Sequence, residues 1–146
     1  MKIGLCSDHR GYYLKSSLVK RLKNDGYEII DYGTDSEESV DFPDYAFKLG
    51  DAIVNGEVDR GIAVCGTGIG MSIALNKTRG VICAKISNES EAMFCRSHNN
   101  ANCIAMSEDI SEDLAYEMAV KFINTPFSNI DKYIRRNKKI ADRDNG

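Results

Sequence analysis

Five short apolar runs recur along the chain, and each is followed by a stretch whose apolar residues return every three or four positions. The runs are KIGLCS (2–7), YEIIDYG (27–33), GIAVCG (61–66), VICAKIS (81–87) and NCIAMS (102–107). Short apolar strands alternating with helical segments predict a parallel sheet covered on both faces. GYYLKSSLVKRLKNDG places Leu14, Leu18 and Leu22 on one stripe and stops at Gly26. DFPDYAFKLGDAIVNGE repeats the arrangement, with Pro43 near its first turn and Gly56 at its end. GIGMSIALNK, ESEAMFCRSH and SEDLAYEMAVKFINT supply the next helices, the last capped by Ser111, and a terminal helix is expected over about 127–139. Residues 141–146 are expected to fray. The pattern therefore predicts one α/β domain over residues 1–146, in three layers around five parallel strands.

Composition narrows what such a domain does. A chain of 146 residues buries a core without staples, and no apolar run approaches the roughly 18 residues of a membrane span. The opening MKIGLCSDHRG meets Asp8 and His9 too soon for a signal peptide, so a cytoplasmic protein with no membrane contact is expected. Net charge is −3 with scattered cations, which gives nucleic acid no basic stripe; KYIRRNKK (132–139) is the one basic cluster. Five cysteines without a CxxC pair argue against a disulfide framework or a zinc knuckle, and two histidines are too few for a histidine-rich metal site. No metal and no cofactor are expected. For most of the cysteines the plain reading is a small buried hydrophobe.

Open α/β sheets bind ligands at the carboxyl ends of their strands, which selects SDHRG after the first run, CGTGIG after the third and SNES after the fourth. The first two carry nearly all the reactive side chains. CGTGIG places three glycines within five positions beside Cys65. A Walker loop needs a GK pair followed by Ser or Thr, and the loop has none. The dinucleotide fingerprint belongs after the first strand with GxGxxG spacing, not after the third with GxGxG. A cysteine phosphatase cradle would close on an arginine where Met71 stands. What remains is a row of unhindered N–H groups at a helix start, which favours anions and favours the thiolate of Cys65. A tight turn in which Cys65 merely packs fits the same residues.

SDHRGYYLK, DYGTDSEESVDFPDYA, GEVDRGIAVCGTGIGMSIALNK and RSHNNAN, in that order, resemble the ribose-5-phosphate isomerase B family, which includes galactose-6-phosphate isomerase subunits. The likeness runs from residue 1 to about 140. It implies a Rossmann-like five-stranded parallel sheet, a homodimer or dimer of dimers with active sites shared between subunits, and metal-free interconversion of aldose and ketose phosphates. By the same resemblance Cys65 is the base that moves a proton between carbons 1 and 2, and Gly66, Gly68, Ile69 and Gly70 lie in the segment that holds the cis-enediolate. Thr67 and Asp8 match positions near the substrate hydroxyls, His98 the residue that helps open the sugar ring, and Asn99 a substrate-binding position. His9 with Lys132 and Arg136 of the basic helix resembles the phosphate site, partly contributed by a neighbouring subunit. Lys132 and Arg136 are also spaced to share one helix face.

The chain departs from the family pattern mainly around the phosphate. Where members carry an arginine after the fifth strand, this chain has Asp109, and Lys132 stands where arginine is usual. An acid repels phosphate, and a lysine replaces a bidentate fork with a point charge. Arg10 or Arg135 are candidates for a compensating cation. Phe42 replaces a common tyrosine, Thr78 and Arg79 replace a frequent VP pair, and Cys83 replaces an arginine. The leading expectation is isomerisation of ribose 5-phosphate to ribulose 5-phosphate. The alternatives are a six-carbon galactose or allose 6-phosphate, and a paralogue that binds a sugar phosphate without turnover. Asp8 as a helix cap, His9 as a loop residue and His98 as a helix-end cation are the plain structural readings of those side chains.

Overall fold

The computed structural model describes residues 1–144. Five strands, β1 (Lys2–Ser7), β2 (Glu28–Asp31), β3 (Arg60–Cys65), β4 (Cys83–Lys85) and β5 (Cys103–Ser107), form one all-parallel sheet in the order β2-β1-β3-β5-β4. The helices are α1 (Tyr12–Asn24), α2 (Phe42–Val54), α3 (Ile69–Leu75), α4 (Glu89–Ser97), α5 (Glu112–Asn124) and α6 (Asp131–Asp144). The expected three-layer Rossmann-like architecture is present, and the strands fall within or one residue beyond the apolar runs.

Side chains alternate strictly across the sheet. Ile3, Leu5, Ile62, Val64, Ile104 and Met106 face a core completed by α1, α4 and α5. Cys6, Ala63, Cys65, Cys103 and Ala105 face the other core, under α2 and α3. The second set is small, so α2 approaches closely: a Cβ on Gly61 would lie 2.8 Å from Ile53 and 3.1 Å from Cys103. This accounts for Cys6, Cys65, Cys83 and Cys103, while Cys95 packs in the first core; all five are buried and unpaired by disulfides. Cys83 and Cys103 stand opposite each other in the β4–β5 register.

Two end expectations are corrected. The terminal helix covers Asp131–Asp144 instead of 127–139, and 141–144 are helical instead of frayed. Residues 127–130 form a connector in which Asn129 has φ 57°. Asp131 gives the helix an acid in its first turn, where the dipole favours it. At the other end Lys138 pairs with Asp142 at 2.7 Å, and Asp144 accepts the Gly80 N–H at 2.9 Å, which ties down the last turn. Residues 145–146 of the expected frayed tail lie outside the described residues. α6 has no buried residue along its whole length.

Lys15 is the one lysine in the interior, 1% exposed. Its ammonium donates to both Asp31 oxygens at 3.0 and 2.9 Å and to the Thr34 carbonyl at 2.7 Å, so all three donors are used. The pair fastens α1 to the end of β2. Lys15→Met should leave Asp31 with only the Gly33 N–H and a buried carbonyl without a donor, lowering stability by about 2–3 kcal/mol, less than a fully buried pair because Asp31 is partly exposed. Urea unfolding measures this, and an unchanged midpoint would refute it.

Candidate active site

Strand order brings the first two motifs together. β1 and β3 are neighbours, with Ser7 opposite Val64 and the Asp8 N–H donating to the Val64 carbonyl at 3.3 Å. Asp8 is 7% exposed; one carboxylate oxygen accepts the Gly11 N–H at 2.9 Å, fixing the turn into α1. The residue that caps α1 is Gly11, with no side-chain cap bond, so Asp8 fixes the turn before the helix and does not cap it. A cleft of about 310 Å³ opens there, lined by Asp8, Arg10, Phe42, Cys65, Gly66, Thr67, Ile69 and Gly70. A second cleft of about 370 Å³ beside Asp31, Tyr45 and Lys48 holds neither thiol nor imidazole.

Cys65 ends β3 at the floor of the first cleft and is 4% exposed. Its sulfur accepts the Gly68 N–H at 3.2 Å, which aims a backbone donor at the floor of the cleft. Gly68 has φ +81°, and a Cβ there would lie 2.9 Å from the backbone of Met106, so the loop can turn under the sulfur only with glycine. Thr67 Oγ1 accepts the Ile69 N–H at 3.2 Å, holding the hydroxyl at the mouth of α3. Gly66 leaves room for the Arg10 guanidinium, whose Nη1 would lie 2.5 Å from a Cβ at that position.

Among the described residues Arg10 is the only cation lining this cleft. It pairs with Glu108 at 2.8 Å, and the Glu108 hydrogen bond followed by the charges of Glu108, Asp109 and Asp8 raises its pKa. Asp109 is exposed, donates its N–H to Ser107 Oγ at 3.1 Å, and is absent from the cleft lining. His9 lies beside the site: its Nδ1 accepts the Val40 N–H at 3.1 Å, which places the neutral ring's proton on Nε2 and anchors the loop before α2.

The remaining expected site residues gather elsewhere. His98 ends α4, stacked between Phe94 and Tyr133 at ring separations of 4.9 and 4.5 Å. Asn137 donates to the His98 carbonyl at 2.7 Å and accepts from Asn99 at 3.3 Å. Lys132 and Arg136 both flank the Tyr133 ring, as their spacing implies. α4 runs back from the carboxyl end of the sheet, and β5 restarts at Cys103, opposite Gly61 at the amino end of β3. Four strand residues, about 13 Å, separate Gly61 from Cys65. Within one chain His98, Asn99, Lys132 and Arg136 are therefore not assembled with Asp8, Cys65 and the glycine loop.

The thiols differ in chemistry. Burial pushes Cys6 and Cys103 upward, and it pushes Cys95 up to about 11. At pH 8 a thiol of that kind is about one part in a thousand thiolate. Iodoacetamide should therefore modify Cys65, in its open cleft, before these three. Peptide mass spectrometry after brief exposure checks this, and faster labelling of Cys95 would contradict it. Among the described residues no group of three or more His, Cys, Asp or Glu side chains is placed to hold a metal, and no helix is long and apolar enough to cross a membrane.

The model of the family described as Ribose/Galactose Isomerase matches residues 3–140. This chain belongs to that family. Within the ribose/galactose isomerase family it is 42% identical to ribose-5-phosphate isomerase B of Escherichia coli over 109 residues, covering 75% of this chain and 73% of that one. Its fold superposes on the structure of Clostridium thermocellum ribose-5-phosphate isomerase B with a TM-score of 0.96 at 42% identity, covering 99% and 98% of the two chains. The Mycoplasma genitalium ribose-5-phosphate isomerase B solved with bound ribulose-5-phosphate gives a TM-score of 0.92 at 31% identity, covering 99% and 96%. The chain is accordingly a sugar-phosphate isomerase, an enzyme of the aldose–ketose class.

Proposed function

We propose that the protein interconverts ribose 5-phosphate and ribulose 5-phosphate, without a metal, using Cys65 as the base. The observation that carries this reading is the sulfur at the floor of the cleft, receiving the Gly68 N–H and bordered by the open loop of Gly66 to Gly70. The Cys65 thiolate removes the proton from carbon 2 of the open-chain aldose, and the electrons move onto the carbonyl oxygen at carbon 1. Loop N–H groups receive the resulting enediolate oxygen, the task for which fixed backbone donors are worth most. Asp8 and Thr67 border the same space and pass the hydroxyl proton between the two oxygens. The thiol then returns its proton to carbon 1, giving the ketose. Proton count and charge balance without a redox partner.

The reading includes a second copy of the chain. His98, Asn99, Lys132 and Arg136 form one ordered group at the opposite edge from Cys65. They complete the site when they reach across from a neighbour, His98 opening the furanose ring and the cations meeting the phosphate beside His9. α6 supports this: an isolated helix of its length is marginal in water, yet it buries nothing of its own. Phe94, Ile134 and Ile140 are exposed at 45%, 44% and 47%, as are Ile69 at 52% and Ile73 at 59% beside the cleft. A homodimer or dimer of dimers covers such surfaces.

Arg10 takes the phosphate-facing position in this chain. The acid at 109, which on the sequence alone argues for a binding protein without turnover, acts on Arg10 rather than on the cleft. Arg10→Ala should raise KM for ribose 5-phosphate about tenfold or more with a smaller change in kcat, the mark of lost ground-state binding. Equal KM values would remove Arg10 from the phosphate site. The proposal as a whole is tested by purified protein, ribose 5-phosphate and a ketose-detecting assay. Turnover supports it; folded protein that turns over no five- or six-carbon aldose phosphate refutes it. Binding without exchange of the carbon 2 hydrogen would assign the paralogue reading instead.

A further inference from the structure

At the amino edge of the sheet a cavity of about 400 Å³ is lined by Arg60 and Arg96 together with Ile123, Thr125, Phe127 and Asn129. Arg60 opens β3 and Cys65 closes it, so roughly 17 Å of strand separates this cavity from the cleft. Arg96 is 4% exposed; its Nε donates to the Thr125 carbonyl at 3.0 Å and its Nη1 to the Ala101 carbonyl at 2.7 Å and Asn100 Oδ1 at 2.9 Å. Its Nη2 has no acceptor among the described residues. Arg60 donates from Nη1 to the Asp59 carbonyl at 3.0 Å, while its buried Nε has no partner among the described residues.

Neither guanidinium forms an ion pair with a described carboxylate. Burial pushes the Arg60 pKa down, with Asp59 opposing it through space, and one Asp59 oxygen is engaged by the Lys2 N–H at 2.8 Å. Burial, followed by the like charge of Arg60, pushes Arg96 down to about 10. Two partly desolvated cations thus share one hollow, each with a donor left over, and an orphaned buried donor calls for an acceptor that the chain itself does not supply.

We propose that this cavity is an anion-binding site that takes inorganic phosphate or the phosphate of a small ester between Arg60 and Arg96. Guanidinium edges match the oxygens of such a group, and Phe127 and Ile123 offer an apolar wall to an ester's organic part. An ion there joins the start of β3 to the end of α4 and to the connector before α6, which is already held by the Ser128 N–H donating to the Ser97 carbonyl at 3.1 Å. Its effect is to brace the segment that carries α6.

The test titrates sodium phosphate into ¹⁵N-labelled protein at pH 7, against sodium chloride of equal ionic strength, and follows the arginine Nε–H resonances. The Arg60 resonance, assigned by its loss in Arg60→Lys, should move saturably with phosphate at millimolar concentration, and the melting temperature should rise. Arg136→Gln, which weakens the proposed substrate-phosphate site, should leave the Arg60 response intact, whereas Arg60→Leu should reduce the thermal effect. If the Arg60 resonance responds no more to phosphate than to chloride, or if its response disappears in Arg136→Gln, the site is refuted. The resonance measurement uses the unaltered protein and stands even where Arg60→Leu fails to fold. Failure would leave the isomerase reading untouched, because Cys65 lies at the other edge of the sheet.

Discussion

Replacing Cys65 with alanine is expected to lower kcat for ribose 5-phosphate by roughly 10²- to 10⁴-fold, the range a positioned base contributes. Among the described residues no other thiol lines the cleft, and in the proposed reaction Asp8 and Thr67 serve the hydroxyl proton and not the proton on carbon 2. Cys65→Ser should be nearly as inactive, since a hydroxyl holds its proton far more tightly than a thiol. The fold should survive, because Cys65 occupies a face already built of small side chains and alanine removes a single atom beyond Cβ. Two measurements separate chemistry from collapse. Urea unfolding should shift by no more than about 1 kcal/mol, and exchange of the carbon 2 hydrogen with deuterated water should stop along with ketose formation. Full activity in Cys65→Ala would end the base assignment.

The second large effect concerns how sites are assembled. If each site draws Cys65 from one chain and His98 from its neighbour, two inactive variants repair each other when mixed. Refolding Cys65→Ala together with His98→Asn should yield half mixed dimers, each with one intact site of two, so recovered activity should approach about a quarter of the wild-type value. His98→Asn keeps a polar planar group near the Phe94 and Tyr133 rings, which limits disturbance of α4 and α6. Activity that stays at the level of the separate variants would show that each chain builds its site alone, and the position of His98 would then need another explanation.

The layers were legible from local pattern, because burial on both faces leaves uninterrupted apolar runs and the intervening helices carry their own stripes. Leu14, Leu18 and Leu22 are buried as their spacing predicts. The meeting of Asp8 with Cys65 follows from motifs that both sit at carboxyl ends of strands, although strand order, which makes β1 and β3 adjacent, depends on long-range packing that no local window contains. The terminal helix was misplaced because a basic cluster marks a charged face and not an end; its limits are set by Asp131 and by Asp144 reaching Gly80. The resemblance puts His98 in the same site as Cys65, and the direction of α4 sends it, within one chain, to the opposite edge. Arg10 carried only a weak signal, a cation two positions after Asp8. Its place in the cleft depends on Gly66 leaving space for it, a relation between residues more than fifty positions apart.

If sites are shared between chains as proposed, a helix with no inside of its own makes catalysis depend on how much enzyme is present. On dilution such a dimer would part and the borrowed imidazole and cations would leave, while the sheet and its thiol should remain folded. Activity per molecule should then decline well before any change in the protein's spectrum, so that abundance itself sets the output of the reaction.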